Sequence, residues 1–90
     1  MPRLVWRAKA RANLVKIISY VADRNQHAAE RLDAAIQHTA EQLPAHPFIH
    51  RPGRAPGTRE AVVHPNYILI YRVAEDIEIL TIVHARQQYP

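Results

Sequence analysis

The segment from Gly57 to Pro90, GTREAVVHPNYILIYRVAEDIEILTIVHARQQYP, constrains the chain more than any other part of it. Three runs rich in β-branched and aromatic residues, Arg59 to His64, Tyr67 to Val73 and Ile77 to His84, are separated by the turn-sized Pro65-Asn66 and Ala74-Glu75-Asp76. Links this short join neighbours, so consecutive antiparallel strands are the natural topology. Alternation puts Tyr67, Leu69, Tyr71 and Val73 on one face of the middle strand and Ile68, Ile70 and Arg72 on the other. Both faces are largely apolar and both need a cover. His84, Arg86 and Tyr89 fall at or beyond the tip of the last strand, where a partner or substrate can reach them.

Ahead of the strands, Leu4, Val5 and Trp6 form a short apolar run. Ala10, Leu14, Ile17, Ile18 and Val21 then recur at helical spacing, and Asn25 reads as the stop of this first helix. Leu32, Ala35, Ile36, Thr39 and Leu43 repeat the pattern until Pro44 ends it. Two amphipathic helices with so short a link form an antiparallel hairpin. Pro44 to Gly57 holds four prolines and both glycines and reads as a restricted loop rather than an element. A hairpin covers one face of a sheet. The other is left to Trp6 and the proline loop, or to a partner.

A chain of 90 residues makes one domain, spanning 1–90, with a core modest enough that a bound partner would add useful stability. The absence of cysteine excludes disulfides and thiolate zinc sites, which suits a cytoplasmic location. Lys16 and Ser19 interrupt the Leu14 to Val21 stretch, so neither a signal-peptide core nor a membrane span is expected. Six basic residues (Arg3, Arg7, Lys9, Arg11, Lys16, Arg24) stand against Asp23 alone between Met1 and Arg24. Arg7, Lys9 and Arg11 crowd the start of a helix whose dipole disfavours cations, and no Ser, Thr, Asp or Asn precedes Arg7 as a cap. Such a charge distribution suits an acidic partner.

Several stretches in this order resemble the RelE/ParE superfamily of bacterial toxins, and specifically its ParE branch. They are Gly57-Thr58-Arg59-Glu60, His64-Pro65-Asn66-Tyr67, Ile70-Tyr71-Arg72-Val73 and Val83-His84-Ala85-Arg86-Gln87-Gln88-Tyr89-Pro90. The resemblance implies an α+β fold, with a short N-terminal strand and an antiparallel helix hairpin packed on a mainly antiparallel sheet of about four strands. It implies no cofactor, and a hetero-oligomer with a cognate antitoxin, ParD-like or another small acidic protein. ParE relatives are reported to act on DNA gyrase, with nucleic acid engaged only indirectly, whereas RelE relatives cut messenger RNA on the ribosome.

On this basis Arg59, Arg72, His84, Arg86 and Tyr89 are the candidate target-binding residues, and Arg7, Arg11, Tyr67 and Tyr71 the candidate antitoxin-binding ones. Metal-free RNA cleavage needs a base for the 2′-hydroxyl, an acid for the leaving oxygen and cations for the phosphate. His84, Arg86 and Tyr89 could fill those roles in the endonuclease alternative. RelE-like enzymes also carry an arginine just after the aromatic residue that opens the third strand, and lysines ahead of the sheet. Here the first position is Ile68 and no lysine follows Lys16. Relatives that use histidines instead bring His50, His64 and His84 into view.

Each candidate also has a structural reading. Arg59 and Glu60 project to opposite strand faces, one as a surface charge and the other as an internal ion-pair partner. Tyr67 and Tyr71 read as core aromatics with hydroxyls at the edge. Arg72 can cover apolar surface with its stem, and His84 can be a hydrogen-bonded structural residue. His46 and His50 are separated by Pro47 and lack a neighbouring carboxylate, so no metal site is expected.

Overall fold

A computed structural model of the chain describes residues 2–87. The elements run β1 (Leu4–Trp6), α1 (Ala8–Ala22), α2 (Gln26–Gln42), β2 (Arg51–Pro52), β3 (Thr58–His64), β4 (Tyr67–Val73) and β5 (Ile77–His84). The spatial order of the sheet is β1-β5-β4-β3-β2. β1 lies parallel to β5, and the remaining pairs are antiparallel. The expected α+β architecture is present with five strands rather than about four. The extra strand is β2, inside the loop from Pro44 to Gly57 that was expected to hold no element. It pairs Arg51 with Glu60 and Pro52 with Arg59 at the sheet edge, where a proline's missing N–H costs no ladder bond.

Asn25 starts α2 rather than simply stopping α1. Its Oδ1 accepts the Ala28 N–H at 3.0 Å, satisfying one of the free donors of the first turn. We expect Asn25→Ala to destabilise the domain by about 1 kcal/mol. Differential scanning calorimetry should show a melting temperature lower by about 4–8 °C, as befits a domain of this length.

α1 has no side-chain cap. Its first turn is instead tied to the sheet, because the Arg7 N–H donates to the Ile79 carbonyl at 3.0 Å. Glu78 supplies the missing negative charge, lying 3.6 Å from the Arg7 guanidinium and 2.9 Å from that of Arg72. A carboxylate delivered by β5 thus offsets the unfavourable cations at this helix end.

The core lies between the hairpin and one sheet face. Ala10, Leu32, Ile36, Ala40 and Leu43 from the helices meet Ala61, Leu69, Tyr71, Ile77, Ile79 and Ile82 from the strands. Trp6 packs with this helix-side core and so does not cover the far face. On the far face Ile68, Ile70 and Val83 form a smaller buried cluster with Leu80 against it. The register slips between Ile70 and Tyr71, which pair with Thr81 and Ile79, so Leu80 is the unpaired residue of a bulge. Ala55 and Thr58 border the cleft beside Ile70, Leu80 and Val83, which gives the proline loop part of the covering role. Among the described residues no helix is long and apolar enough to cross a membrane.

Candidate functional site

Two separate regions gather the candidate side chains, at opposite ends of β4. At the β3–β4 turn, Tyr67 pairs across the strands with both His64 and His84. Its ring centroid is 5.8 Å from that of His64 and 5.4 Å from that of His84, the latter edge-on. His64 Nδ1 accepts the Asn66 N–H at 3.0 Å and His84 Nδ1 accepts the Arg86 N–H at 3.2 Å. In the neutral ring the proton therefore sits on Nε2, so each imidazole presents a donor rather than a free lone pair. His84 and Arg86 are brought together by the turn that follows β5; Tyr89 lies outside the described residues. Tyr20 and Lys16 of α1 also face this end, lining one pocket with Tyr67 and His84. Sequence reasoning missed both. The signal was present, because Lys9, Asn13, Lys16 and Tyr20 repeat at helical spacing beside the apolar stripe of α1.

The second region lies about 13 Å along β4, four residues at strand rise. There Tyr71 is completely buried, and its hydroxyl donates to the Pro47 carbonyl at 2.7 Å. As an expected antitoxin contact Tyr71 is therefore corrected: it is a core residue with a committed hydroxyl and no surface to offer, whereas Tyr67 remains half-buried. Arg59, opposite Tyr71, donates through one guanidinium nitrogen to the His50 carbonyl at 2.7 Å and the Phe48 carbonyl at 3.4 Å. Its guanidinium also lies 4.9 Å from the centroid of the Phe48 ring. The His50 ring meets Tyr71 edge-on at 6.0 Å. Arg72 is on the other face of the strand and is held by Glu78. The proposed target-binding set is thus divided, with Arg59 and Arg72 at one end and His84 and Arg86 at the other. Arg7 is tied to Glu78, and Arg11 is exposed on α1. Of Arg59 and Glu60, for which the sequence left open which would be internal, Glu60 is the internal ion-pair partner, buried to 6% exposure with Arg51 Nε 2.7 Å away.

Burial raises the Tyr71 phenol above its usual range, with Arg59 opposing this in part, and burial lowers the His50 imidazole. A histidine depressed in the folded state binds fewer protons there than in the unfolded chain, so stability rises with pH. The contribution is complete above about pH 6.5, the unfolded value, and falls as the pH drops towards the lower folded one. We expect thermal melts from pH 7.5 to 5 to show a smaller loss of stability for His50→Gln than for the parent chain.

The cleft beside Leu80, about 380 Å³, is lined by far-face Ile70, Leu80 and Val83, by Ile82 of the helix-side core, by Lys9 and Asn13 of α1, and by Thr58, Thr81 and Gln87. Of its described lining residues only Lys9 is ionisable. No cluster of three or more metal-ligating side chains occurs among the described residues.

A family model described as the ParE toxin of the type II toxin–antitoxin system parDE matches residues 4–89. The chain belongs to the ParE toxin family. This ParE-family chain is 39% identical over 89 residues to a candidate toxin named Y4kP from Sinorhizobium fredii, spanning 98% of this chain and 93% of the relative. It is 34% identical over 86 residues to toxin RelE2 from Caulobacter vibrioides, spanning 94% and 97%. It also superposes with a TM-score of 0.82 and 26% identity on a chain from the chromosomal ParDE toxin–antitoxin system of P. aeruginosa, covering 93% of this chain and 96% of that one.

Proposed function

We propose that this ParE-family toxin arrests growth in the cytoplasm by binding DNA gyrase rather than by cutting RNA, and that a small acidic antitoxin from the same operon neutralises it. The observation that carries the non-catalytic reading is the state of the two sheet-end histidines. A general base needs an open lone pair, and in both His64 and His84 that lone pair is occupied by a backbone N–H. The cleft beside Leu80, with Lys9 as its single ionisable described residue, supplies no acid–base pair either. The family match and the ParDE likeness support the antitoxin. The basic first helix suits an acidic one, and Arg11, with Tyr67 near the hairpin's edge, remains a candidate contact.

The ribonuclease reading keeps one specific support. His84, Arg86 and Lys16 are gathered at one sheet end, and one relative carries the name RelE2. Induced expression separates the two. The gyrase reading expects filamentous cells and a DNA-damage response, both relieved by co-expressing the upstream reading frame. Immediate arrest of translation with cleaved messenger RNA and no DNA-damage response would favour the ribonuclease.

A further inference from the structure

Phe48 and Ile49 are adjacent large apolar residues that are 63% and 65% exposed. Single exposed apolar side chains are ordinary, but these two occupy a loop held in an unusually fixed position. The Tyr71 hydroxyl binds the carbonyl of Pro47, and Arg59 binds those of Phe48 and His50. Pro47 restricts the backbone before the pair, and Pro52 closes β2 after it. The hydrogen bonds that fix the loop act on its backbone, and although the Arg59 guanidinium also lies against the Phe48 ring, both apolar side chains stay mostly exposed. Neither side chain belongs to either buried cluster. Among the described residues the Arg59 guanidinium against the Phe48 ring is a surface contact rather than core packing, and exposed large apolar groups in water favour association.

We propose that Phe48 and Ile49 form a preorganised apolar knob that inserts into a pocket on the toxin's target protein. The partner's chemistry follows from the surroundings. From Leu43 to Arg59 the chain carries Arg51, Arg54, Arg59, His46 and His50 and no Asp or Glu; Glu60, the next residue, is paired with Arg51, which leaves the loop's surroundings net positive through Arg54 and Arg59. A complementary site is therefore a small apolar pocket with carboxylates on its rim. A fixed knob suits a folded partner with a preformed pocket, because little conformational entropy is lost on insertion. A small antitoxin that orders itself on the toxin would instead supply side chains to the toxin's own grooves. Arg59 and Tyr71 are positioning residues here, acting through the loop backbone. The proposal rests on the target-binding reading above but does not depend on the target's being gyrase.

The test uses the full-length chain with Phe48→Ser and Ile49→Ser combined, and Arg59→Ala separately. Both knob residues are exposed, so the double variant should fold with a melting temperature close to that of the parent. Growth arrest in a titrated induction should require about tenfold or more toxin, in line with loss of an interface anchor. Antitoxin affinity, measured by calorimetry, should be unchanged. Arg59→Ala keeps the knob but frees its loop, and should weaken arrest less than the double variant does. Unaltered toxicity in the double variant overturns the proposal, and so does a matching loss of antitoxin affinity, which would make the antitoxin the occupant. Gyrase binding is measured in parallel. If the parent chain does not bind gyrase but the double variant still loses toxicity, the gyrase reading fails and the knob stands.

Discussion

Tyr71→Ala should destabilise the domain by about 3–5 kcal/mol, the range for removing a buried aromatic side chain. Tyr71 is completely buried in the middle of the sheet, among Leu69, Ile79 and the helix residues Ile36 and Leu43. Net stabilities of native domains are only about 5–15 kcal/mol, and a domain this small sits low in that range. Urea unfolding monitored by circular dichroism should therefore find the variant largely unfolded near physiological temperature. Tyr71→Phe is the informative companion. It keeps the ring and removes only the hydrogen bond to the Pro47 carbonyl, so it should lose about 1 kcal/mol. If Tyr71→Ala were tolerated, the helix-side core could not be centred on this strand.

The second large effect concerns activity rather than stability. Deleting Gln87–Pro90, or combining Arg86→Ala with Tyr89→Ala, should abolish growth arrest while the melting temperature changes little. Gln87 makes only local bonds, its N–H donating to the His84 carbonyl at 2.8 Å and its Oε1 accepting from the His84 N–H at 3.3 Å. Changes at such exposed terminal positions usually fall within about 0.5 kcal/mol. Antitoxin affinity should survive if the antitoxin takes the basic face of α1 as proposed, because that face is untouched. Full toxicity in the truncated chain would remove the tail from the mechanism. Loss of folding together with toxicity would make His84 and Arg86 structural residues.

The helices and the three long strands were legible because their patterns are local. Ala10 is buried, and Leu14, Ile17, Ile18 and Val21 pack on the core, as their spacing required. The expected second and third runs, Tyr67 to Val73 and Ile77 to His84, coincide with β4 and β5. β2 escaped because two residues show no alternation and one of them is proline, which argues against a strand everywhere except an edge. The parallel pairing of β1 with β5 joins residues more than seventy positions apart, beyond any local signal. Tyr67 and Tyr71 look equivalent in sequence, on one face of one strand. Their fates differ because Tyr71 lies beneath the proline loop, which accepts its hydroxyl, whereas Tyr67 lies at the open end of the sheet beside His84.

The candidate site was legible as residue types and not as geometry. His84 and Arg86 were placed correctly at the sheet end, but the commitment of the histidine lone pair to a backbone N–H appears only in three dimensions. Arg59 and Arg72 read as candidate target contacts, with an ion-pair or surface-charge role for the first and an apolar-covering stem for the second as their structural readings. Their actual partners, loop carbonyls and Glu78, depend on how the loop folds back and on the β4–β5 register. Lys16 and Tyr20 lie on the polar side of α1, and which sheet end that side meets is set by how the helix packs rather than by its apolar stripe.

The most direct test of the binding mechanism uses purified toxin in two parallel reactions. In one, toxin is added to DNA gyrase, ATP and supercoiled plasmid, and the protein-linked cleaved DNA is counted after denaturation. In the other it is added to ribosomes translating a defined message, and the RNA ends are mapped. The gyrase mechanism predicts DNA cleavage that rises with toxin and disappears on adding antitoxin, with the message intact. Cleavage of the message at codon boundaries, with no increase in cleaved DNA, would contradict it.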